Sequence, residues 1–327
     1  MLAVSSHVSK KEARSMPKMM RWILTGLVVA AVGVILMFVG LSNDGQNSLN
    51  WRDGHFVVPQ VKTVNQQVTA FKSVNINTED IDVRLVTNND DTYAVKSSVR
   101  DAARLHVSVR HDTLYVKYNM DNDNGVGVGF GEKKPEHITI SVPQNKLFDK
   151  FKQTSVGSDI VLKDLTAKTV KISATAGDIT LNNLTAPDMT VANRDGSVHL
   201  TDAVLKQSTI SMSDSDLTVQ NGELGKLLLS GTDSDVHLNH TALNASVMQV
   251  NDGDVTTTAS RYTGVNTITL RDGDFKAAQA QFGGLQLQTT DGDVMVKGTK
   301  YAGQFSENET APDRLSIIAT DGDIHVN

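Results

Sequence analysis

Thr290-Asp291-Gly292-Asp293-Val294-Met295-Val296 is one statement of a phrase that the chain makes repeatedly. A small or polar residue, an acidic one, Gly or Ser and a second acidic residue lead into alternating apolar positions. The phrase returns as Thr175-Ala176-Gly177-Asp178-Ile179, Ser213-Asp214-Ser215-Asp216-Leu217 and Thr232-Asp233-Ser234-Asp235-Val236. It returns again as Asn251-Asp252-Gly253-Asp254-Val255 and Thr320-Asp321-Gly322-Asp323-Ile324. Its fourth position is held by Asp159, Asp178, Ser197, Asp216, Asp235, Asp254, Asp274, Asp293 and Asp323, at spacings of 19, 19, 19, 19, 19, 20, 19 and 30. A fixed period in this range is the mark of a repeat architecture.

Within each copy the apolar residues fall in two runs of period two. In the copy starting at Thr175 they are Ile179, Leu181, Leu184, Met189 and Val191. Two such runs mean two strands with inward faces, joined by turns. No copy holds ten residues at helical spacing, which disfavours leucine-rich and ankyrin-type solenoids. One coil cannot bury its own apolar face, so each must stack on the next. The expected fold is all-β: a single-stranded parallel β-helix, or β-solenoid, with coils of 19 residues over 156–327. Nine such coils at strand spacing make a rod of roughly 40 Å. The 30-residue spacing places an excursion at 297–314, where insertions in solenoids often carry binding.

Upstream, 67–155 reads as a β-rich N-terminal part of the same domain. Leu105-His106-Val107-Ser108-Val109, Leu114-Tyr115-Val116 and Ile138-Thr139-Ile140-Ser141-Val142 alternate at period two. Thr78-Glu79-Asp80-Ile81-Asp82-Val83 has the form of a degenerate first copy of the phrase. Gly125-Val126-Gly127-Val128-Gly129-Phe130-Gly131 lacks the strand-then-helix context and Gly-Lys-Ser/Thr ending of a phosphate loop, and reads as a flexible hairpin loop. Residues 42–66 are polar without a sustained period, a linker with a short ordered piece around Trp51 and Phe56.

Residues 22–41, from Trp22 to Leu41, carry no charge. About 20 such residues span a hydrocarbon core roughly 30 Å thick. Lys10, Lys11, Arg14, Lys18 and Arg21 precede the stretch, and the first charge after it is Asp44. Positive-inside asymmetry puts the tail 1–21 in the cytoplasm and everything beyond Leu41 outside. A cleaved signal peptide is the competing reading. Its apolar region would be shorter and end in small residues, whereas this one ends Phe38-Val39-Gly40-Leu41. The expectation is a single-pass anchor in the cell membrane with an extracellular C-terminal domain.

The chain has 327 residues and no cysteine, which removes disulfides and thiolate metal ligands. Residues 156–327 hold 22 Asp and Glu against 12 Lys and Arg, a net of −10; the whole chain is −6, so the remainder carries +4. An acidic repeat region argues against its binding nucleic acid or anionic lipid directly.

Two aspartate columns follow from the period. One comprises Asp195, Asp214, Asp233, Asp252, Asp272, Asp291 and Asp321; the other includes Asp178, Asp216, Asp235, Asp254, Asp274 and Asp293. No metal site is assigned; the second column is a calcium candidate, because carboxylates repeated at coil spacing are hard ligands suited to calcium, but it ranks below a turn-forming role. In that role Asp-Gly-Asp makes a tight turn, with glycine at positive φ and aspartate accepting backbone N–H bonds. Calcium-binding β-rolls use a nine-residue repeat that these copies do not match. His199, His237 and His325 share one outward offset, two coils or more apart, too far to share an ion. No carboxylate pair stands out as an acid and a base, and no Ser–His–Asp elbow or HExxH is present. No cofactor and no catalytic residue are assigned.

The anchor, the strand ending Ile138-Thr139-Ile140-Ser141-Val142-Pro143 and the ladder of Gly-Asp-Ile/Val turns together resemble the bacterial "putative adhesin" domain-of-unknown-function family, over roughly residues 67–327. The resemblance implies a surface-exposed β-solenoid with no established activity, related to domains of envelope-stress systems in Gram-positive bacteria. It brings no catalytic residues. A Leu-Pro-x-Thr-Gly ending is missing, so a covalent wall anchor is not supported. The expected function is a non-catalytic, membrane-anchored interaction module for an envelope component or surface protein. The alternatives are an envelope-stress sensor working with a membrane partner and, third, a glycan-degrading enzyme. The last strand, Ile324-His325-Val326, closes the sequence without a polar cap, from which end-to-end self-association is expected.

Overall fold

The computed structural model describes residues 18–42, 48–52, 55–57, 61–100, 102–119, 127–129 and 136–327. They divide into two units, Met1–Pro59 with Asn124–Lys133, and Gln60–Asp123 with Lys134–Asn327. The cytoplasmic tail expected over 1–21 lies outside the described residues up to position 17, as do parts of the 42–66 linker and of the glycine-rich loop.

In the first unit Lys18–Ser42 is a helix of 25 residues. Its apolar side chains are exposed all round, and at 1.5 Å per residue it is long enough to cross a bilayer. An uninterrupted helix is the form such a segment needs, because it satisfies every internal backbone donor without water. Ser48–Arg52 pairs antiparallel with His55–Val57, placing Trp51 opposite Phe56, and on its other edge with Gly127–Gly129.

In the second unit two sheets, of 14 and 16 strands, face each other across an apolar interior. The coil that begins at Ile179 shows how the sequence builds them. Ile179–Asn182 lies in the first sheet, the chain turns a corner at Asn183, and Thr185–Arg194 lies in the second. Alternation buries Ile179, Leu181, Met189 and Val191, while Thr190 and Arg194 face out. Successive coils stack parallel in a register that matches the period: Ile160, Ile179, Val198, Leu217, Val236, Val255 and Phe275 form one ladder. Ile172, Val191, Ile210, Leu229, Met248 and Ile268 form a facing one. Partway along, the ten-residue strands of the second sheet break in two, with left-handed Lys226, Ala245 and Gly264 forming a third corner.

The ends depart from the simple helix. The first coil in sequence, Ser73–Glu79 and Asp82–Asn88, is not the outermost. Val74 lies between Phe151 and Leu114, and Val83 between Ile160 and Ile138. Beyond it lie strands from 94–118 and 137–143 in antiparallel pairs, Leu105–Arg110 on Thr113–Tyr118 and Ala94–Val99 on His137–Pro143, with Lys62–Gln67 outermost on Ala94–Val99. The other end uses the same device. The last coil in sequence is inserted, with Ile317 between Ile268 and Leu287 and Ile324 between Phe275 and Val294. Gln304–Glu307 and Thr299–Tyr301 then run antiparallel on the outermost coil.

Three expectations are corrected by these pairings. The sheets are mixed, so the fold is solenoid-like and not a single-stranded parallel β-helix throughout. The 297–314 segment is not an outward excursion; it supplies the two strands that close the stack. Finally, Ile324–Val326 is not an open end, because it is paired on both sides, and that basis for end-to-end association is removed. The physical reason is the same for all three. A parallel stack that simply stopped would show a full row of unpaired backbone groups. Aromatic side chains fill the last layers of the interior: Phe71 contacts Phe148 and Tyr93 at one end (ring centroids 6.0 and 5.1 Å), and Tyr301 contacts Phe305 (4.7 Å) at the other.

Candidate functional site

The repeated phrase forms one corner of every coil. At its second position Asp195, Asp214, Asp233, Asp252 and Asp272 have φ between 50° and 56°. Aspartate is among the few side chains that visit this region at low cost, since its short carboxylate can bond locally. The expectation that glycine supplies the positive φ is therefore corrected for most copies; Gly157, at φ 63° in the second position, and Gly322, at φ 149°, are the exceptions among the turn glycines. In the copies that have it, glycine lets the backbone press closer to the neighbouring coil. A Cβ on Gly177, Gly196, Gly253 or Gly273 would sit 2.0–2.3 Å from a carbonyl oxygen of the neighbouring coil. Where serine replaces it, the side chain takes up the inter-coil bond: Ile81 N–H donates to Ser158 Oγ (3.0 Å) and Gly196 N–H to Ser215 Oγ (3.3 Å).

The fourth-position aspartates form a ladder with backbone amides that is broken once, at Ser197. Asp178 N–H donates to Asp159 Oδ1 (3.0 Å), Asp235 to Asp216 (3.0 Å), Asp254 to Asp235 (2.8 Å) and Asp274 to Asp254 (2.8 Å). It continues through the inserted coil, with Asp323 N–H on Asp274 (2.9 Å) and Asp293 N–H on Asp323 (2.8 Å). At the other end Asp159 N–H donates to Asp82 (3.2 Å), so the degenerate copy at 78–83 is a full member despite lying 77 residues away. Only Ser197 interrupts the carboxylates. All six candidate calcium ligands lie in this ladder, each on a different coil. Among the described residues no three His, Asp or Glu side chains gather as a metal-binding group.

Charge around the corner is strongest at the inserted coil. The Asp323 amide, and next Lys276 Nζ at 3.0 Å, hold Asp274 below the ordinary carboxylate pKa. Lys276 is raised in turn by its bond to Asp274. Lys300 reaches Asp293 at 2.6 Å. Asp321, on the outer column, is pushed up, first by desolvation and then by the charges of Asp272 and Asp291 on either side. His199 and His237 lie on the adjoining outward face with Thr218 between them in register, and His325 lies beyond Lys276.

The outward faces hold shallow depressions. One of about 240 Å³ lies among Thr209, Leu228 and Val247; another of about 170 Å³ lies among Thr256, Lys276 and His325. Reading the sequence missed a cationic surface at the opposite end of the larger sheet. There Tyr115, Asn75, Lys152 and Lys171 form one outward row across four strands. The 19-residue step from Lys152 to Lys171 was a usable signal. The juxtaposition with Tyr115 was not, because it depends on the pairing of Thr113–Tyr118 with Ser73–Glu79, which no period announces.

A family model described as Toastrack DUF4097 matches residues 71–260 and, in a second overlapping match, 209–327. Solved structures share the fold. A protein named a "putative adhesin" from Parabacteroides distasonis ATCC 8503 is 12% identical, with 82% of this chain and 97% of that one covered and a TM-score of 0.52. A "putative lipid binding protein" from the same organism is 10% identical, with coverage of 82% and 97% and a TM-score of 0.51. At these identities the likeness is one of fold. No curated protein matches the chain.

Proposed function

The chain belongs to the Toastrack DUF4097 family, and from that premise we propose that it is a membrane-anchored, non-catalytic interaction module displayed outside the cell. The observation that carries this reading is the use made of the chemistry-bearing residues. The fourth-position carboxylates are spent one per coil on the amide of a neighbouring coil. The second-position column stands as a row of outward aspartates with no metal-binding cluster of His, Asp or Glu gathered against it among the described residues. The positions left over are rows of outward polar side chains on two long, regular faces. Such a surface suits recognition of an extended partner better than the enclosure of a small substrate. The apolar helix with basic residues before it supports an anchor with the solenoid outside.

The absence of cysteine allows a direct test. Single cysteines at Ser5 and Thr209 are exposed to a membrane-impermeant maleimide on intact cells. Labelling at Thr209→Cys alone is expected; labelling at Ser5→Cys alone, or at neither until lysis, would overturn the topology. A photo-crosslinker at Thr209 or Gln249 should then give a discrete adduct with one envelope component. Turnover of a glycan that a single aspartate substitution abolishes would replace the module with an enzyme.

A further inference from the structure

The outer face of the larger sheet changes character along the stack. Beside a marginal row of Glu79, Val156 and Thr175, its first five strands, from Leu105–Arg110 to Thr166–Thr175, present three outward rows in register, fifteen positions in all. Arg110, Lys117, Lys150, Lys152 and Lys171 occupy five of these, and none is Asp or Glu. Lys152 and Lys171 are direct partners on neighbouring strands, about 4.8 Å apart at the backbone. Like charges in that position oppose each other and weaken the pair. Two nearby carboxylates are engaged by other lysines: Lys168 holds Asp149 at 2.7 Å and Lys72 holds Asp112 at 3.2 Å. The five cations therefore stand without acidic partners among the described residues. Beside them Tyr115 is 40% exposed, an aromatic ring with a polar tip on the same face.

We propose that this face docks on an anionic lipid surface, the headgroup layer of the membrane in which the N-terminal helix is anchored. The shape of the cationic array favours a lipid layer over a soluble polymer. Its charges are spread over a flat sheet in two dimensions and are not aligned along a groove, so they match a plane of charge. Tyrosine is the side chain that settles at the headgroup level. The chain between Ser42 and Lys62 can extend no more than about 70 Å, which keeps the unit that begins there near the bilayer and raises its effective concentration. The acidic repeat corner, which counted against lipid binding when charge was only summed along the sequence, reaches Asp82 and Asp159 on these coils but lies at the turn and not on this face. Its run of second-position aspartates starts at Asp195, because Gly157 and Ala176 hold that position on the coils before it. This proposal rests on the reading that Lys18–Ser42 spans the membrane.

The test uses the full chain with one introduced cysteine, Ser173→Cys, on the cationic face, labelled with an environment-sensitive fluorophore. It is reconstituted into vesicles of phosphatidylcholine alone or mixed with phosphatidylglycerol. A blue shift is expected only with phosphatidylglycerol, lost in high salt and absent from a label at Thr256→Cys on the other sheet. Each cation contributes about a fivefold gain in binding near an anionic surface. The triple variant Lys117→Glu, Lys152→Glu, Lys171→Glu should therefore abolish the shift while its circular dichroism stays unchanged. No phosphatidylglycerol-dependent shift, or an equal shift in the folded triple variant, overturns the proposal. So does a shift driven by soluble polyphosphate but not by phosphatidylglycerol, which would assign an anionic polymer instead. Failure of the anchor itself is distinct, since the protein would then be released from vesicles by alkaline carbonate.

Discussion

Gly253→Ala separates two accounts of the repeated turn. If glycine were present for its backbone freedom, alanine would cost about 1 kcal/mol, the usual penalty for a side chain at positive φ. In the structure the positive φ belongs to Asp252, at 53°, and Gly253 lies against the next coil. An alanine Cβ there would sit 2.2 Å from Ser234 O and 2.7 Å from its carbonyl carbon. Both atoms are backbone, so no rotamer relieves the clash, and the coils must separate by close to 1 Å. That lengthens the Asp254 N–H bond to Asp235 Oδ1 (2.8 Å) and the Asp233 N–H bond to Asn251 O (3.0 Å). Two weakened bonds at about 1 kcal/mol each, plus about 1–3 kcal/mol of overpacking strain, give a loss of roughly 3–5 kcal/mol. Asp252→Gly should be nearly neutral, because it keeps the permitted φ and removes no ladder bond. Urea unfolding followed by circular dichroism gives both values, and amide exchange around 232–258 locates them. A Gly253→Ala loss below about 1 kcal/mol, or an Asp252→Gly loss larger than that of Gly253→Ala, would refute the steric account.

Deletion of 314–327 removes an inserted coil and not a tail. It should strip protection from amides in 265–278 and 284–296, and protection that survives would contradict the pairing. Tyr262 is buried, its hydroxyl pushed up to about 12 chiefly by desolvation; the nearby Thr257 hydroxyl faces it without a good hydrogen bond. Tyr262→Phe should thus be neutral or stabilise by about 1 kcal/mol, read as a urea midpoint shift at constant slope. Asp321 has a raised pKa, so its ionisation opposes folding: the penalty is absent below the unfolded value near 3.8 and develops as pH rises through the folded one. Asp321→Asn should raise the melting temperature at neutral pH and lose that advantage in acid. Asp274, whose pKa is lowered, should show the reverse on substitution by Asn, with stability lost at neutral pH and the difference fading as pH falls. Millimolar calcium should leave the melting temperature unchanged if the fourth-position carboxylates act as amide acceptors; a rise would make the column an ion site.

The interior of the stack was legible because burial imposes period two and stacking imposes the 19-residue step. Ile179, Val198, Leu217 and Val236 announce their register by spacing alone. The ends were not legible, because strand alternation states which face a residue takes but not which neighbour it pairs with. Ile324-His325-Val326 reads identically whether it is the last layer or the last but one. The same limit hid the role of Asp82, whose ladder partner is 77 residues distant, and of the 297–314 segment, whose antiparallel pairing carries no periodic mark. The corner was half legible: composition pointed to a tight turn, but only geometry distinguishes a residue with positive φ from one pressed against a carbonyl.

Placing both chain-terminal coils inside the stack has an energetic consequence beyond closing the ends. A terminal coil at the edge would contact one neighbour and could fray singly, as repeat arrays do from their ends. Here Val74 and Val83, and likewise Ile317 and Ile324, are each paired on both sides. The first or last coil can leave only by breaking two parallel interfaces together. Of the four strands at the outermost positions, three are short or polar, and the fourth, Leu105–Arg110, ends in a charged residue. Lys62–Gln67 is exposed along nearly its whole length, and Thr299–Tyr301 has three residues. Short or polar edges are poor templates for another chain's strand. A partner is therefore better sought on the broad outer faces of the sheets than at the two ends.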